Sequence, residues 1–252
     1  MKVIKSEDGT SKVEFAEGYS SVIIPSKNGK HTICLSSQIG CPLQCSFCRT
    51  GQFKRDLAVE EMIRQVRACS RIIKDKPSSI VFMGSGEPML NFDDVSDSIV
   101  EINKRFGIPY DRITLSTCGI DLSLLLDVPY NIAISLHTPF EAVRRRLMPR
   151  AAPIEDVLLF AEEYSYNRKH GVMIEYLLIK DINDSNSDID ALLSLDWPSN
   201  VNFNIIEFNE HKGFKRSDRL VHFKEALRQA GYKCFIRQSR GRDIGAACGM
   251  LS

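Results

Sequence analysis

The sequence predicts an α/β protein built on a parallel sheet, and three observations carry that reading. Six apolar, strand-like runs recur along the chain: TICLSS, SIVFMG, RITLST, NIAISLH, VMIEYLLI and NFNIIEF. Segments of helical period lie between them, near 58–75, 93–106, 120–127, 153–169 and 186–195. The alternation of the two is that of repeated βαβ units, whose crossovers force neighbouring strands parallel. With 252 residues and 43% hydrophobic composition, the chain can bury the core of one compact catalytic unit.

Taken in order, VEFAEGYSSVIIP holds two short alternating runs around Glu17-Gly18, the pattern of a β-hairpin. Residues 1–30 are therefore read as a β extension or lid, and 31–252 as the catalytic domain. The first long strand, TICLSS, runs directly into CPLQCSFC. The helix that follows has the stripe Val59, Met62, Ile63, Val66, Cys69, Ile73, so Cys69 belongs to a buried face. The second strand ends in Gly84-Ser85-Gly86-Glu87-Pro88, a tight βα turn. Ser116 ends the third strand, Ser135-Leu136-His137 the fourth and Asn209 the sixth, all residue types that cap strand ends and turns. A last helix, about 217–230, stops at Gly231 and leads into strand-like KCFIRQ, where Cys234 alternates with Tyr232 and Ile236 as packing. Six parallel strands fit an open doubly wound sheet or a partial barrel, and both place chemistry at the strands' carboxyl ends.

Thirty-three Lys and Arg oppose 32 Asp and Glu, so the net charge of +1 provides no global field to draw in nucleic acid. Two local clusters stand out: Arg144, Arg145, Arg146 and Arg150, and a looser set of Lys212, Lys215, Arg216, Arg219, Arg237, Arg240 and Arg242. They are solvated faces, or phosphate contacts if they line the barrel mouth. MKVIKSEDGT lacks the apolar core of a signal peptide, and no run approaches the roughly 20 apolar residues of a membrane span. The expectation is a cytoplasmic protein without membrane contact. Eight cysteines in that reducing compartment point to metal binding, catalysis or burial rather than a disulfide framework.

Cys41, Cys45 and Cys48 in CPLQCSFC sit at a strand's carboxyl end, in a loop long enough to wrap a cluster. Thiolates suit soft irons, and three ligands on a four-iron cube leave the fourth iron open. A closed zinc site needs a fourth ligand, and the nearest donors, His31 and Cys34, precede the loop.

CLSSQIGCPLQCSFCRTGQFKRDL, VFMGSGEPMLN, RITLSTCGI, IAISLHTPFEAVRRRLMP, EYLLIKDINDS, NFNIIEFN and RGRDIGAACGML resemble, in order, the motifs of the RlmN and Cfr adenosine methyltransferases of ribosomal and transfer RNA, within the radical S-adenosylmethionine superfamily. The similarity runs from Thr32 to Leu251. It implies a partial (β/α)6 barrel of the TIM type with the N-terminal β-hairpin as an extension. It implies a 4Fe-4S cluster on Cys41, Cys45 and Cys48, and S-adenosylmethionine as both methyl donor and radical source. Gly86 and Glu87 would hold the cofactor's amino group, a carboxylate facing an ammonium, and Ser116, Ser135, Leu136, His137 and Asn209 would contact the rest. Cys248 would be methylated by displacement and then lose hydrogen to the 5′-deoxyadenosyl radical. Its carbon would add to an adenine ring carbon. Cys34 would accept the proton and release methylated product by forming a disulfide with Cys248.

The resemblance also implies partners: RNA, a low-potential electron donor such as flavodoxin or ferredoxin, and a thiol reductant. An adenine edge carbon is reached only in single-stranded or flipped RNA. Three departures are visible. Only about 30 residues precede the matching region, where the family has an RNA-binding domain, so an accessory RNA-recognition protein is expected. Ser20, beside Ser21, stands five residues before Pro25, where the family has an acid/base glutamate. Few residues follow Cys248, which is expected to be mobile. Cys118 falls where the family has another residue, and it is assigned no role. Two alternatives remain: the same chemistry on a nucleotide, small heteroaromatic or peptide, and a noncatalytic iron–sulfur or zinc module.

Overall fold

The computed structural model describes all residues except Lys27, Asn167, Lys169 and Ser252. Its elements are β1 (Lys2–Lys5), β2 (Ser11–Glu14), β3 (Ser20–Pro25), β4 (His31–Leu35), β5 (Gln38–Ile39), β6 (Arg55–Asp56), α1 (Val59–Ile73), β7 (Ser79–Phe82), α2 (Phe92–Phe106), β8 (Ile113–Thr117), β9 (Asn131–Ser135), α3 (Glu141–Leu147), α4 (Ile154–Ser165), β10 (Met173–Leu178), α5 (Asn186–Ser194), β11 (Asn202–Glu207), α6 (Leu220–Gln229) and β12 (Lys233–Arg237). Ten strands form one sheet in the order β1-β2-β3-β4-β7-β8-β9-β10-β11-β12. From β4 to β12 every neighbouring pair is parallel. KCFIRQ thus adds a seventh parallel strand to the six expected, with Phe203 opposite Cys234.

The hairpin forms, with β2 and β3 antiparallel and the rings of Phe15 and Tyr19 stacked at 4.6 Å in its turn. It continues the sheet, because β3 pairs antiparallel with β4. The additional strand β1, KVIK, pairs with β2 at the edge, where its two lysines stay in water. In α1 the expected stripe is realised: Met62, Ile63, Val66 and Cys69 are fully buried against Ile33 and Leu35, the two β4 residues on the helix side of the sheet. The expected helix at 120–127 is only a single 3-10 turn, Leu122–Leu125. Gly119 and Asp121 just before it adopt left-handed backbone, which stops a helix from nucleating there. Helix α3 was not expected, since its one short apolar stripe is masked by three consecutive arginines. The expected end of α4 at Lys169 lies outside the described residues.

The sheet curls into an open, partial barrel. In a flat sheet β7 and β12, five positions apart, would be about 24 Å from each other. Yet Arg237 Nη1 on β12 donates to Sδ of Met83, the residue after β7, at 2.9 Å. The seam stays open, as β12 has only β11 as a partner. Residues 240–251 lie at that seam, where Ala246, Ala247, Cys248 and Leu251 share a cavity with Ile24 and Pro25 of β3 and Ile236 and Arg237 of β12. The β1–β2 turn braces this tail: Ser6 Oγ donates to Asp243 Oδ1 at 2.5 Å, and Gly241 N donates to Asp8 Oδ2 at 2.9 Å.

Candidate functional site

The loop carrying Cys41, Cys45 and Cys48 is closed at its base by β5 pairing with β6, and further by Cys41 N to Gly51 O (3.0 Å) and Lys54 N to Ile39 O (2.8 Å). Gly40 permits this closure: a Cβ there would stand 1.9 Å from Gln52 O. Ser46 N docks the far side of the loop on Leu147 O at 2.9 Å. The three thiols are free, half-buried and line one cavity. Burial, before any charge effect, pushes the Cys41 thiol up to about 11 and Cys45 higher still, and the charge of neighbouring cysteines adds to both. Three crowded thiols that resist ionisation are stabilised as thiolates by a cationic group between them.

The same cavity is also lined by Gly84, Gly86, Glu87, Ser116, Ser135 and His137. Gly86 has φ +110°, and a Cβ would lie 2.7 Å from both Gln38 Cβ and Ser37 Oγ, so the turn is pressed onto the loop leaving β4. Glu87 is 4% exposed, and its carboxylate accepts from Met89 N (3.1 Å) and Cys118 N (3.0 Å). Burial raises its pKa against those bonds. Ser135 O and Leu136 O both accept from Arg144 Nη1. His137 is buried with left-handed backbone, and its Nδ1 accepts from Leu177 N at 3.0 Å. The ring proton is therefore on Nε2. Burial first, and then Arg144, depress its pKa to about 3, so the imidazole is neutral.

Cys248 lines both this cavity and the seam cavity, whereas Cys34 lines only the latter. Cys34 is buried beside Val22 and Val81, and burial, then the charge of Cys248, push its thiol up to about 12. All eight cysteines are free. The tail is held in place: Asn209 Nδ2 donates to Cys248 O (3.0 Å), Arg49 N donates to Gly249 O (2.7 Å), and Leu251 is 4% exposed. The mobility expected of Cys248 is thus opposed by anchors on its own carbonyl and on that of Gly249. Asn209 Oδ1 accepts from Ser239 Oγ and Arg242 Nε, so its amide bonds the tail and the tail's support, and Asn209 lines the seam cavity rather than the first.

The family model described as the radical SAM superfamily matches residues 35–194. The chain is 34% identical to a dual-specificity RNA methyltransferase RlmN of Desulfotalea psychrophila, over 98% of this chain and 76% of that protein. It is 37% identical to the RlmN of Syntrophobacter fumaroxidans, over 100% and 79%. The chain belongs to the RlmN family. The crystal structure of a radical SAM methyltransferase from Sphaerobacter thermophilus superposes with a TM-score of 0.91 at 30% identity, covering all of this chain and 80% of that one. Members of the superfamily use a 4Fe-4S cluster and S-adenosylmethionine, and the first cavity, lined by three thiols and by the Glu87 carboxylate, has donors suited to both.

Within the RlmN frame the structure adds Glu175, which has no place in the sequence analysis, and gives Arg237 a place in the site. Glu175, 4% exposed on β10, accepts from Ser116 Oγ (2.9 Å), Asn204 Nδ2 (3.4 Å) and Arg237 Nη1 (3.2 Å). Arg237 lines both cavities. The signal for Glu175 was the one carboxylate inside the apolar run VMIEYLLI, since a buried charge requires a partner. Arg237 is removed from the basic cluster by that pairing. Arg144 is a second correction: it is 1% exposed and donates to the carbonyls of Ala152, Ser135, Leu136 and Cys118, so it holds strand ends and is not a phosphate contact. Arg145, Arg146 and Arg150 are exposed. Ser20, at the family's glutamate position, is buried, its carbonyl accepts from Ser36 Oγ at 2.6 Å, and it lines neither cavity.

Proposed function

We propose that this protein is a radical methyl synthase that methylates a ring carbon of adenosine in RNA, through a methylated Cys248. One observation carries the reading: the three cluster cysteines line only the first cavity, Cys34 only the second, and Cys248 both. A group that must take a methyl from a cofactor and hand it to a separate acceptor belongs at such a junction.

When bound on Cys41, Cys45 and Cys48, the cluster supplies the electron that makes S-adenosylmethionine a source of a hydrogen-abstracting radical. Glu87, Ser116, Ser135 and His137 orient the cofactor in the first cavity, with neutral His137 offering an Nε2 donor, whereas Leu136, expected to join them, is fully buried outside that cavity's lining with its carbonyl held by Arg144. Gly86 permits the close turn, and Asn209 keeps the Cys248 backbone against the cavity. Cys248 first gives up its proton and its sulfur takes the methyl, a displacement that Arg237 assists by favouring the thiolate. After that methyl has lost hydrogen, its carbon would bond the adenine ring in the second cavity, and the adduct would give up one electron, which a bound cluster could take back, and its ring proton to Cys34. The Cys34 thiolate would then attack the Cys248 sulfur, so that a sulfur–sulfur bond forms as the carbon–sulfur bond breaks, and the departing carbon would keep that bond's electron pair and take up a proton to become the product methyl. An external thiol reductant returns both cysteines to the free state.

Residues 31–252 are the catalytic unit in this reading, and residues 1–30 the extension that braces its tail. A low-potential flavodoxin or ferredoxin supplies electrons, and an accessory protein assists RNA recognition in the cytoplasm. No helix among the described residues is long and apolar enough to cross a membrane. The test is anaerobic incubation of the iron-loaded protein with RNA, S-adenosylmethionine and reductant, followed by nuclease digestion and mass spectrometry of the nucleosides. C-methylated adenosine absent from a Cys248→Ala reaction supports the proposal. Formation of 5′-deoxyadenosine with every nucleoside unchanged counts against it.

A further inference from the structure

The seam cavity contains two cations, Arg237 and Arg240, and they differ in what they face. Arg237 is held by Glu175 and Met83. Glu207, the carboxylate that lines the same cavity, is already occupied: Oε1 by Arg216 at 2.6 Å, and Oε2 by Arg242 at 3.2 Å and Ser239 N at 3.2 Å. Arg240 has no ion-pair partner among the described residues and is half-exposed at the cavity's edge. Its two chain neighbours are fixed. Ser239 Oγ donates to Asn209 Oδ1, and Gly241, at φ +66°, donates its N–H to Asp8 Oδ2 and packs so tightly that a Cβ would stand 2.8 Å from Thr10 Cγ2. A guanidinium with its backbone clamped and its charge unmatched, beside a cavity that holds both Cys34 and Cys248, is prepared for an anion that arrives with the acceptor.

We infer that Arg240 binds the phosphate of the nucleotide whose base enters the seam cavity. Guanidinium and phosphate pair through two parallel N–H···O bonds, which fixes orientation as well as adding attraction. A half-exposed position suits this role, because the base is buried next to the thiols while its phosphate stays at the rim. The same chemistry serves an internal phosphodiester of RNA or the terminal phosphate of a free nucleotide, and it has no use for an uncharged heteroaromatic or a neutral peptide.

The inference rests on the reading that the seam cavity takes the acceptor. The test is binding of a fluorescein-labelled single-stranded oligoribonucleotide containing adenosine to the iron-loaded protein, followed by anisotropy over a range of potassium chloride concentrations. Arg240→Gln should weaken binding about tenfold, the effect of losing one charged hydrogen-bonded contact, and should lower the slope of log affinity against log salt by about 0.7. Arg240→Lys should retain the slope, because it retains the charge. Iron content and circular dichroism establish that the variants are folded. Adenosine 5′-monophosphate is then added as competitor: competition lost in Arg240→Gln assigns the site to a terminal phosphate, and no competition with the wild type assigns it to an internal phosphodiester. Equal affinity and equal salt slope for the wild type and Arg240→Gln overturn the inference. If Cys248 is normally methylated in the same preparations, that failure leaves the proposed function standing; if Cys248 is never methylated, the proposed function itself has failed.

Discussion

Glu175 Oε1 and Arg237 Nη1 lie 3.2 Å apart inside the barrel, and the same Arg237 nitrogen reaches Met83 Sδ at 2.9 Å. The pair ties the edge strand β12 to β10, two strands in, and then across to the end of β7. It stands between the cofactor cavity and the seam cavity, with Cys34 and Cys248 both acting on the charge of Arg237.

Removing one partner leaves the other charge without compensation in a poorly solvated interior. Glu175→Ala should destabilise the fold by about 3–5 kcal/mol, whereas Glu175→Gln, which can still accept from Arg237 and Ser116, should cost less than half of that. Urea unfolding followed by circular dichroism measures both. Equal and small losses would mean that the pair does not hold the curl of the sheet.

Asn209 connects β11 to the catalytic tail through Cys248 O, Ser239 Oγ and Arg242 Nε. Asn209→Ala should slow methylation of Cys248 about tenfold with iron content unchanged, because it loosens where the thiol stands and leaves the cluster loop intact. Loss of iron in this variant would place Asn209 in cluster assembly instead.

Gly40→Ala should prevent closure of the cluster loop, since its Cβ would lie 1.9 Å from Gln52 O at φ +73°. Neither atom is at the end of a flexible side chain, so the loop itself must move. Anaerobic reconstitution should yield less than half the wild-type iron per chain, read by a colorimetric iron assay. Wild-type iron content would show that the loop has a second closed form.

His137 supplies a pH dependence of definite sign. Its folded pKa is depressed to about 3 from an ordinary value near 6.5, so the unfolded chain binds the proton first. Its contribution is complete above about pH 6.5 and is lost as pH falls toward 3, with a slope of about 1.4 kcal/mol per pH unit in between. His137→Asn should flatten that part of the stability profile, and asparagine tolerates the left-handed backbone at this position. An unchanged acid slope in the variant would assign the dependence to other groups.

The parallel order of the sheet and helices α1, α2, α5 and α6 were legible because each rests on local periodicity. The cluster loop was legible because its three cysteines are close in sequence. Cys34 and Cys248 were assigned only through family resemblance, as their proximity is created by the curl of the sheet and the path of the tail. Arg144 was misread because a run of three arginines has the same composition whether it faces water or not. The turn of α3 aims the first of the three at four strand-end carbonyls and leaves the other two exposed. The brace between Ser6, Asp8 and the tail had no signature at all, since it joins the two ends of the chain.

The most direct measurement is peptide mass spectrometry on Cys248 after the iron-loaded protein has been incubated anaerobically with S-adenosylmethionine and reductant in the absence of any acceptor. A methyl or methylene mass on Cys248, with Cys34 unmodified, is the predicted result. An unmodified Cys248 in a preparation that forms 5′-deoxyadenosine would contradict the account, because the cysteine shared by the two cavities would then carry nothing between them.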